Sequence, residues 1–252
     1  AWAKVGVPAI TISGATVGIN VLAAIQGASQ QAVITGVSKL EANTVTVRSA
    51  LNDAADAGAT AVLGGNGAAG STTLAQVKAN AGIALVSAVN AALIKDANLA
   101  VTGTLTVESK GTSKAKATVH ENTLTLSLAG MGINILYAKA NGTYTATIDL
   151  GEDYYVTAKS VQVLNAYTAD AQAVSAQPEN GVQIEIGALT VKANLAHALV
   201  GLQADAVIKG QGSIASTESL SVVSTGKASS SARIEGARIS VDAVKVAVNQ
   251  EE

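Results

Sequence analysis

Few residues of this chain have types and spacings that suit catalysis or metal binding. The two histidines, His120 and His197, lie far apart in the sequence, and neither has a histidine, cysteine or carboxylate at metal-ligand spacing. Asp149, Glu152 and Asp153 cluster in one short segment, and hard oxygen ligands at a turn can hold calcium. However, the repeated Gly-Gly-x-Gly-x-Asp motif of calcium-binding rolls is absent. We therefore expect no metal site and no cofactor.

Composition narrows the remaining chemistry. The chain has no cysteine, which excludes disulfides, thiol catalysis and cysteine-ligated zinc. No set of serine, histidine and aspartate stands out, and no glycine-rich segment joins a strand to a helix as a phosphate site requires. The formal charge of −2 gives no electrostatic argument for binding nucleic acid or an anionic membrane. The sequence therefore predicts no catalytic residues and a protein that is not an enzyme.

The alternation of side-chain character predicts β-strands. From Leu105 to Val119 every odd position is small or apolar, whereas the even positions hold threonine, lysine or glutamate. A period of two is typical of a strand, and it outweighs the helix propensity of the many alanines. The alternation from Val45 to Leu63 favours long strands and wide coils. The densest basic group is expected on a solvated outer face: Lys110, Lys114 and Lys116.

Internal repeats predict that these strands stack as copies of one unit. Val77–Asn80 recurs as Val191–Asn194, and the same shift carries Gly18–Asn20 onto Gly132–Asn134. A shorter period, about half as long, is marked by a valine that returns at Val47, Val107, Val163 and Val222. These spacings predict an all-β chain, a parallel β-helix (β-solenoid) of about four units of about 57 residues, duplicated at about 114 residues. No linker separates the copies, so residues 1–252 are expected to form one continuous solenoid domain.

Stacking also predicts what lies inside. The four valines should form an inward column, and the next inward position holds polar side chains that would hydrogen-bond along the stack: Ser49, Ser109, Asn165 and Ser224. The absence of phenylalanine, with many inward alanines, indicates a thin core. Turn signals fall at Gly36, Gly64–Gly67, Asn141–Gly142, Gly151, Pro178–Gly181 and Gly210–Gly212.

One segment is apolar on both faces of its predicted strand. Its even positions include Leu124, Leu126, Leu128 and Leu136, and its odd positions are Met131, Ile133, Ile135 and Tyr137. The earlier copy places Val17, Ile19 and Val21 on the same odd face. A strand that is apolar on both faces is usually buried on both. The favoured interpretation is that another layer of the same chain covers the odd face. The alternative is a lateral interaction stripe formed by the four odd residues.

The arrangement of these elements resembles a known family. The strand segments Thr44–Ser49 and Val17–Val21, the alanine alternation Ala55–Ala61 and the corner Ala32–Gly36 are similar to the repeats of giant filamentous adhesins of the leukotoxin and filamentous-haemagglutinin type. The resemblance implies a parallel β-helix, secretion to the bacterial surface within a very long chain, and a role in adhesion or in damage to host cells. It supplies no catalytic residues.

We therefore expect an extracellular structural rod and host-contact surface. Its expected partners are neighbouring repeats of the parent chain and a host cell-surface receptor or glycan, without nucleic acid. No run of 18 apolar residues is present, so no membrane-spanning helix is expected. A single methionine, Met131, and an uncapped alternation from Ser240 to Val248 lead us to expect a fragment of a longer rod.

Two alternatives remain open at the level of sequence. The first is a self-assembling filament or surface-layer subunit, for which open ends and the apolar stripe are the motivation. The second is a carbohydrate-active β-helix enzyme, because such enzymes share the architecture. The 18 acidic residues do not stack at the repeat spacing, and exposed aromatic platforms for sugars are scarce.

Overall fold

The computed structural model describes residues 2–5, 10–12, 15–62, 72–122, 124–176, 183–234 and 238–251, and this part of the chain contains strands and turns but no helix. The strands are β1 (Trp2–Val5), β2 (Ile10–Ile12), β3 (Ala15–Thr35), β4 (Leu40–Ala42), β5 (Val45–Val62), β6 (Thr72–Lys95), β7 (Leu99–Val101), β8 (Thr104–Asn122), β9 (Leu124–Leu150), β10 (Tyr155–Ala176), β11 (Gln183–Gly210), β12 (Ser213–Ile234) and β13 (Arg238–Glu251). The all-β prediction is confirmed.

The strands belong to two sheets that the chain visits alternately. Sheet A contains β1, β4, β5, β7, β8, β10 and β12, and sheet B contains β2, β3, β6, β9, β11 and β13. Between the described strands all pairings are parallel, except that the short β2 runs antiparallel to the edge of β3. Successive passes through one sheet are separated by one pass through the other, so neighbouring strands are joined by a wide coil. The predicted parallel stacking and long strands are therefore present.

The register of sheet B explains why the repeats match best two units apart. Ala15 lies beside Ala75, and Ala75 lies beside Ala129, so a longer step along the chain is followed by a shorter one. The next step, from Ala129 to Leu189, is again the longer one. Equivalent positions therefore recur two strands apart, whereas a uniform step of the average length would place neighbouring strands out of phase.

The inward faces carry the alternation that the sequence predicts. In β8 all odd positions from Leu105 to Val119 are buried, and Lys110, Lys114 and Lys116 are exposed on the outer face. The predicted valine column is in register through Val47, Val107, Val163 and Val222. The first three valines are buried, but Val222 is 44 % exposed because β12 is the edge strand of sheet A.

The core between the sheets changes in character along the strands. One end is filled mainly by alanines from both sheets, such as Ala57, Ala84 and Ala138. The other end is filled by larger aliphatic side chains, including Ile94 and Ile148. Between them lies a small cluster around Tyr144 and Tyr167, whose ring centroids are 4.1 Å apart. Small residues therefore let the sheets approach closely at one end, and two tyrosines fill the middle.

Glycines make room for these two tyrosines. A Cβ atom at Gly142 would lie 2.6 Å from both Tyr144 Cε2 and the Tyr167 hydroxyl oxygen. The prediction of a turn at Asn141–Gly142 is therefore wrong, because the pair lies in the middle of β9 and the glycine serves packing. The predicted turns at Gly36, Gly151 and Gly210–Gly212 are present, and Gly36 and Gly210 adopt positive φ values of 65° and 103°. The predicted turns at Gly64–Gly67 and Pro178–Gly181 lie outside the described residues.

Gly111 provides a stability test of this packing. A Cβ atom there would overlap the Leu51 carbonyl oxygen and the Tyr144 ring, whereas a Cβ at Gly27 would meet only Ser87 O at 3.9 Å. We expect Gly111→Ala to lower the free energy of unfolding by about 3 kcal/mol through overpacking. Gly27→Ala should leave it unchanged or raise it slightly. Urea denaturation of both variants measures the difference, and equal effects would contradict the proposed packing around Tyr144.

Candidate functional site

The residues with the most obvious chemical potential are not assembled into a reactive centre. Within the described part of the chain no group of three or more histidine, cysteine, aspartate or glutamate residues is placed to hold a metal. Asp149 forms an ion pair with Lys209 at 3.3 Å, while Glu152 and Asp153 are exposed on the turn after β9. His197 stacks on Tyr137 with ring centroids 5.4 Å apart. The side chain of His120 lies outside the described residues.

A shallow depression lies beside β4 and β7. It has a volume of about 420 Å³, and its lining includes Glu41, Asn43, Thr102 and Thr157. Among the described residues of the lining Glu41 is the one carboxylate, and Lys39 Nζ lies 2.6 Å from its Oε1. The hydrogen bond from Lys39 holds the pKa of Glu41 below its usual value. Glycoside hydrolysis commonly uses a pair of carboxylates with different protonation states. The described lining of this depression provides a single carboxylate and not a pair.

A polar layer crosses the interior between the two aliphatic parts of the core. Ser49 donates a hydrogen bond to Asn90 Oδ1, and Asn90 Nδ2 donates to Ser109 Oγ at 3.0 Å and to the Ser49 carbonyl oxygen at 3.0 Å. Ser49, Asn90 and Ser109 are all buried. The predicted column of Ser49, Ser109, Asn165 and Ser224 is in register.

The hydrogen bonds of this column differ from the prediction. Ser49 and Ser109 are joined through Asn90, which reaches across from sheet B, instead of bonding to each other along the stack. Asn165 Nδ2 donates to the carbonyl oxygens of Tyr144 and Asp205, at 2.7 and 3.3 Å. The hydrogen bonds of this layer therefore connect sheet A to sheet B and stabilise their packing.

Among the described residues of the interior, Tyr144 has the most strongly shifted pKa. Its hydroxyl lies 3.2 Å from Ser113 Oγ, and its side chain is fully buried. Burial raises the pKa of Tyr144 to about 12, an effect that the hydrogen bond with Ser113 partly offsets. Burial also raises the pKa of Tyr167. Both hydroxyls therefore stay protonated at neutral pH, and both rings serve packing.

This shift predicts how stability depends on alkaline pH. The unfolded chain releases the Tyr144 proton near pH 10, but the folded protein holds it to about pH 12. The unfolded state then binds fewer protons in this interval, so stability falls as pH rises through it. Between about pH 9 and pH 12 the wild type should lose on the order of 2 kcal/mol more stability than Tyr144→Phe. Chemical denaturation at both pH values measures the loss, and identical losses would refute the shift.

A ladder of asparagines runs through sheet B. Asn20, Asn80, Asn134, Asn194 and Asn249 are in register on successive strands. Asn80 Nδ2 donates to Asn134 Oδ1 at 2.8 Å, and Asn134 Nδ2 donates to Asn194 Oδ1 at 2.7 Å. The side chains of these three residues are buried. The ladder links three neighbouring strands side chain to side chain, as in other stacked-strand assemblies.

The candidate functional surface is the outer face of sheet B. On four of its strands the odd-numbered residues point outward. We call these outward residues the apolar patch: the odd positions within 17–25 of β3, 77–85 of β6, 131–139 of β9 and 191–199 of β11. Lys139 is its one lysine, and it contains no arginine or acidic residue. The next outward row is Gly27, Ser87, Asn141 and Gly201, which ends the apolar character.

The predicted interaction stripe lies at the centre of this patch. Met131 is 45 % exposed and Ile135 is 44 % exposed, while Ile133 and Tyr137 are half-buried between neighbouring side chains. Val17, Ile19 and Val21 on β3 are exposed as well. The favoured expectation that another layer of the chain covers this face is wrong for the described residues. Of the predicted even face, Leu136 is buried inside, and the side chains of Leu124, Leu126 and Leu128 lie outside the described part.

The outer face of sheet A has the opposite character. It carries the exposed lysines of β8 and an ion pair between Arg48 and Glu108 at 3.0 Å. Asp170 accepts hydrogen bonds from Gln172 at 2.8 Å and from Ser229 at 2.6 Å. The outer face of sheet A is therefore solvated and charged, whereas the apolar patch on the outer face of sheet B carries a single lysine.

Nothing in the described residues forms a helix long and apolar enough to cross a bilayer. A scan against protein-family models, a search of curated proteins and a search of solved structures each found no match to this chain.

Proposed function

We propose that this chain is a β-solenoid of about four units of about 57 residues that serves as a structural rod segment of a secreted bacterial surface adhesin. The observation that carries the proposal is the register. Equivalent residues lie beside one another from strand to strand, as in the column of Val47, Val107, Val163 and Val222. Each added coil contributes its own side-chain pairs and backbone hydrogen bonds with its neighbours. The stack can therefore be lengthened coil by coil, because each coil is stabilised mainly by the coils next to it.

The interior favours a scaffold over a reactive site. The buried amide nitrogens of Asn90 and Asn165 donate hydrogen bonds across the two sheets, to a serine hydroxyl and to backbone carbonyl oxygens. The asparagine ladder adds side-chain links between coils. Such bonds fix the stacking register, because a shift of one residue would turn every inward side chain outward.

The adhesin role rests on the likeness of the repeats to filamentous adhesins, and a surface segment of this kind would contact host receptors or glycans through its outer faces. Beads coated with the chain should bind cultured host cells saturably, and soluble chain should compete for the binding. Beads coated with albumin are the control. Binding that does not exceed the albumin control, or that soluble chain fails to reduce, would reject the host-contact role.

A filament subunit is the second candidate function. It is favoured by one observation, the exposed apolar patch on sheet B, because large apolar surfaces on soluble proteins commonly mark interaction sites.

A further inference from the structure

We infer that the apolar patch is the contact surface for a second copy of this chain, packed face to face about a two-fold axis. The inference goes beyond the proposed rod, because a rod segment needs no lateral partner. Parallel sheets are normally covered on both faces. The inner face of sheet B is covered by sheet A, whereas the described residues leave its outer face open at Ile19, Met131 and Ile135.

The patch is large enough for a specific pair. Nine residues at about 3.3 Å each give a length of about 30 Å, and four strands about 4.8 Å apart give a width of about 19 Å. Two such faces pressed together would remove on the order of 1,100 Å² from solvent, slightly above the ~1,000 Å² expected of a specific interface. The area therefore supports a dimer of modest affinity.

The relief of the patch is complementary to itself. On β9 the side chains of Met131, Ile133 and Ile135 form a ridge, and beside it Ala79 and Ala81 of β6 form a groove. A two-fold axis parallel to the strands and above the gap between β6 and β9 lays the ridge of each copy into the groove of the other. The same rotation places β3 of one copy opposite β11 of the second. At the register position where β3 carries Ile19, β11 carries Ala193, so a large side chain meets a small one. Packed sheets interdigitate in this way.

The distribution of charge favours a protein surface over a lipid surface. Elements that lie on membranes usually carry several lysines or arginines beside their apolar face. The patch holds a single lysine, Lys139, in the row nearest its polar border. At that border its ammonium group can reach solvent while its stem stays in the contact. A fluid bilayer also gains nothing from alternating ridges and grooves, whereas a second copy does.

Sedimentation equilibrium tests the inference with two matched substitutions. Ile135 is 44 % exposed at the centre of the patch, and Val223 is 43 % exposed on the outer face of sheet A. The wild type should form dimers at about 100 µM, and Ile135→Asp should weaken association by about thirtyfold or more, as expected for a central contact. Val223→Asp should change it less than about twofold. A monomeric wild type, or equal weakening by both variants, would overturn the inference.

Cross-linking identifies the face directly, since the chain has no cysteine of its own. A bis-maleimide with a spacer of about 10 Å, the usual distance between packed sheets, should couple two copies of Ala81→Cys. It should not couple Ala50→Cys, which lies on the outer face of sheet A. Coupling of Ala50→Cys alone would overturn the inference. A monomeric wild type that binds phosphatidylcholine vesicles, and loses that binding in Ile135→Asp, would overturn it in favour of a lipid surface.

Discussion

Replacing Val107 by aspartate is expected to lower the free energy of unfolding by about 5 kcal/mol, which equals the whole stability of a domain at the low end of the usual range. Val107 is completely buried and lies in register between Val47 and Val163. It belongs to the end of the core that is filled by the larger aliphatic side chains. A carboxyl group there loses its water without gaining a polar partner in the valine column. Thermal and urea denaturation followed by circular dichroism measure the loss.

Lys114→Asp is the matched control on the same strand. Lys114 points outward and is exposed, so this substitution changes surface charge without entering the core. We expect it to change the free energy of unfolding by at most about 0.5 kcal/mol. Comparable losses in the two variants would mean that odd positions of β8 do not face the interior, and the assignment of inward and outward faces would fail.

Asn134→Ala is expected to give the second large effect, a loss of about 3–4 kcal/mol in the free energy of unfolding. The substitution removes both ladder bonds of Asn134, at 2.8 Å to Asn80 and 2.7 Å to Asn194. All three side chains are buried, so the atoms that lose these bonds have little water to replace them. Each such loss costs about 1–3 kcal/mol. Urea denaturation under conditions of reversible unfolding gives the value.

Asn52→Ala controls for the asparagine itself. Asn52 accepts a hydrogen bond from Thr112 at 2.9 Å across neighbouring strands, but the pair is exposed and water can take the place of either partner. We expect a change of at most about 0.5 kcal/mol. If Asn134→Ala proves as mild as Asn52→Ala, the ladder contributes little, and the coils are held by backbone pairing and apolar contacts alone.

Local pattern was sufficient to predict the strands and their inward faces. The alternation of β8 depends only on the period of two, and the recurring valine marks the register of sheet A correctly at Val47, Val107, Val163 and Val222. The asparagine ladder was present in the repeats as Asn20 with Asn134, and as Asn80 with Asn194. It was missed because the step along the chain from one strand of sheet B to the next is alternately longer and shorter. The step from Asn80 to Asn134 is one of the shorter ones and differs from the average repeat length.

Features set by distant parts of the chain were less accessible. A strand with two apolar faces does not reveal which face another layer will cover, so Met131 and Ile135 were expected inside and are exposed. Asn141–Gly142 has the composition of a turn, but the space needed by Tyr144 and Tyr167 explains the glycine. The bridge from Asn90 to Ser49 and Ser109 depends on how two sheets oppose each other. Such contacts are properties of packing between layers.

Small-angle X-ray scattering tests the central claim, a solenoid with wide coils, most directly. A strand of 28 residues such as β11 is about 90 Å long, and the five long strands of sheet B packed on sheet A give a slab of about 90 by 25 by 20 Å. The corresponding radius of gyration is about 27 Å, and face-to-face pairing would raise it only slightly because it adds to the thinnest dimension. Ile135→Asp measured alongside holds the chain monomeric. A radius of about 27 Å supports the account, whereas a value of about 18 Å, expected for a compact globule of this length, would contradict it.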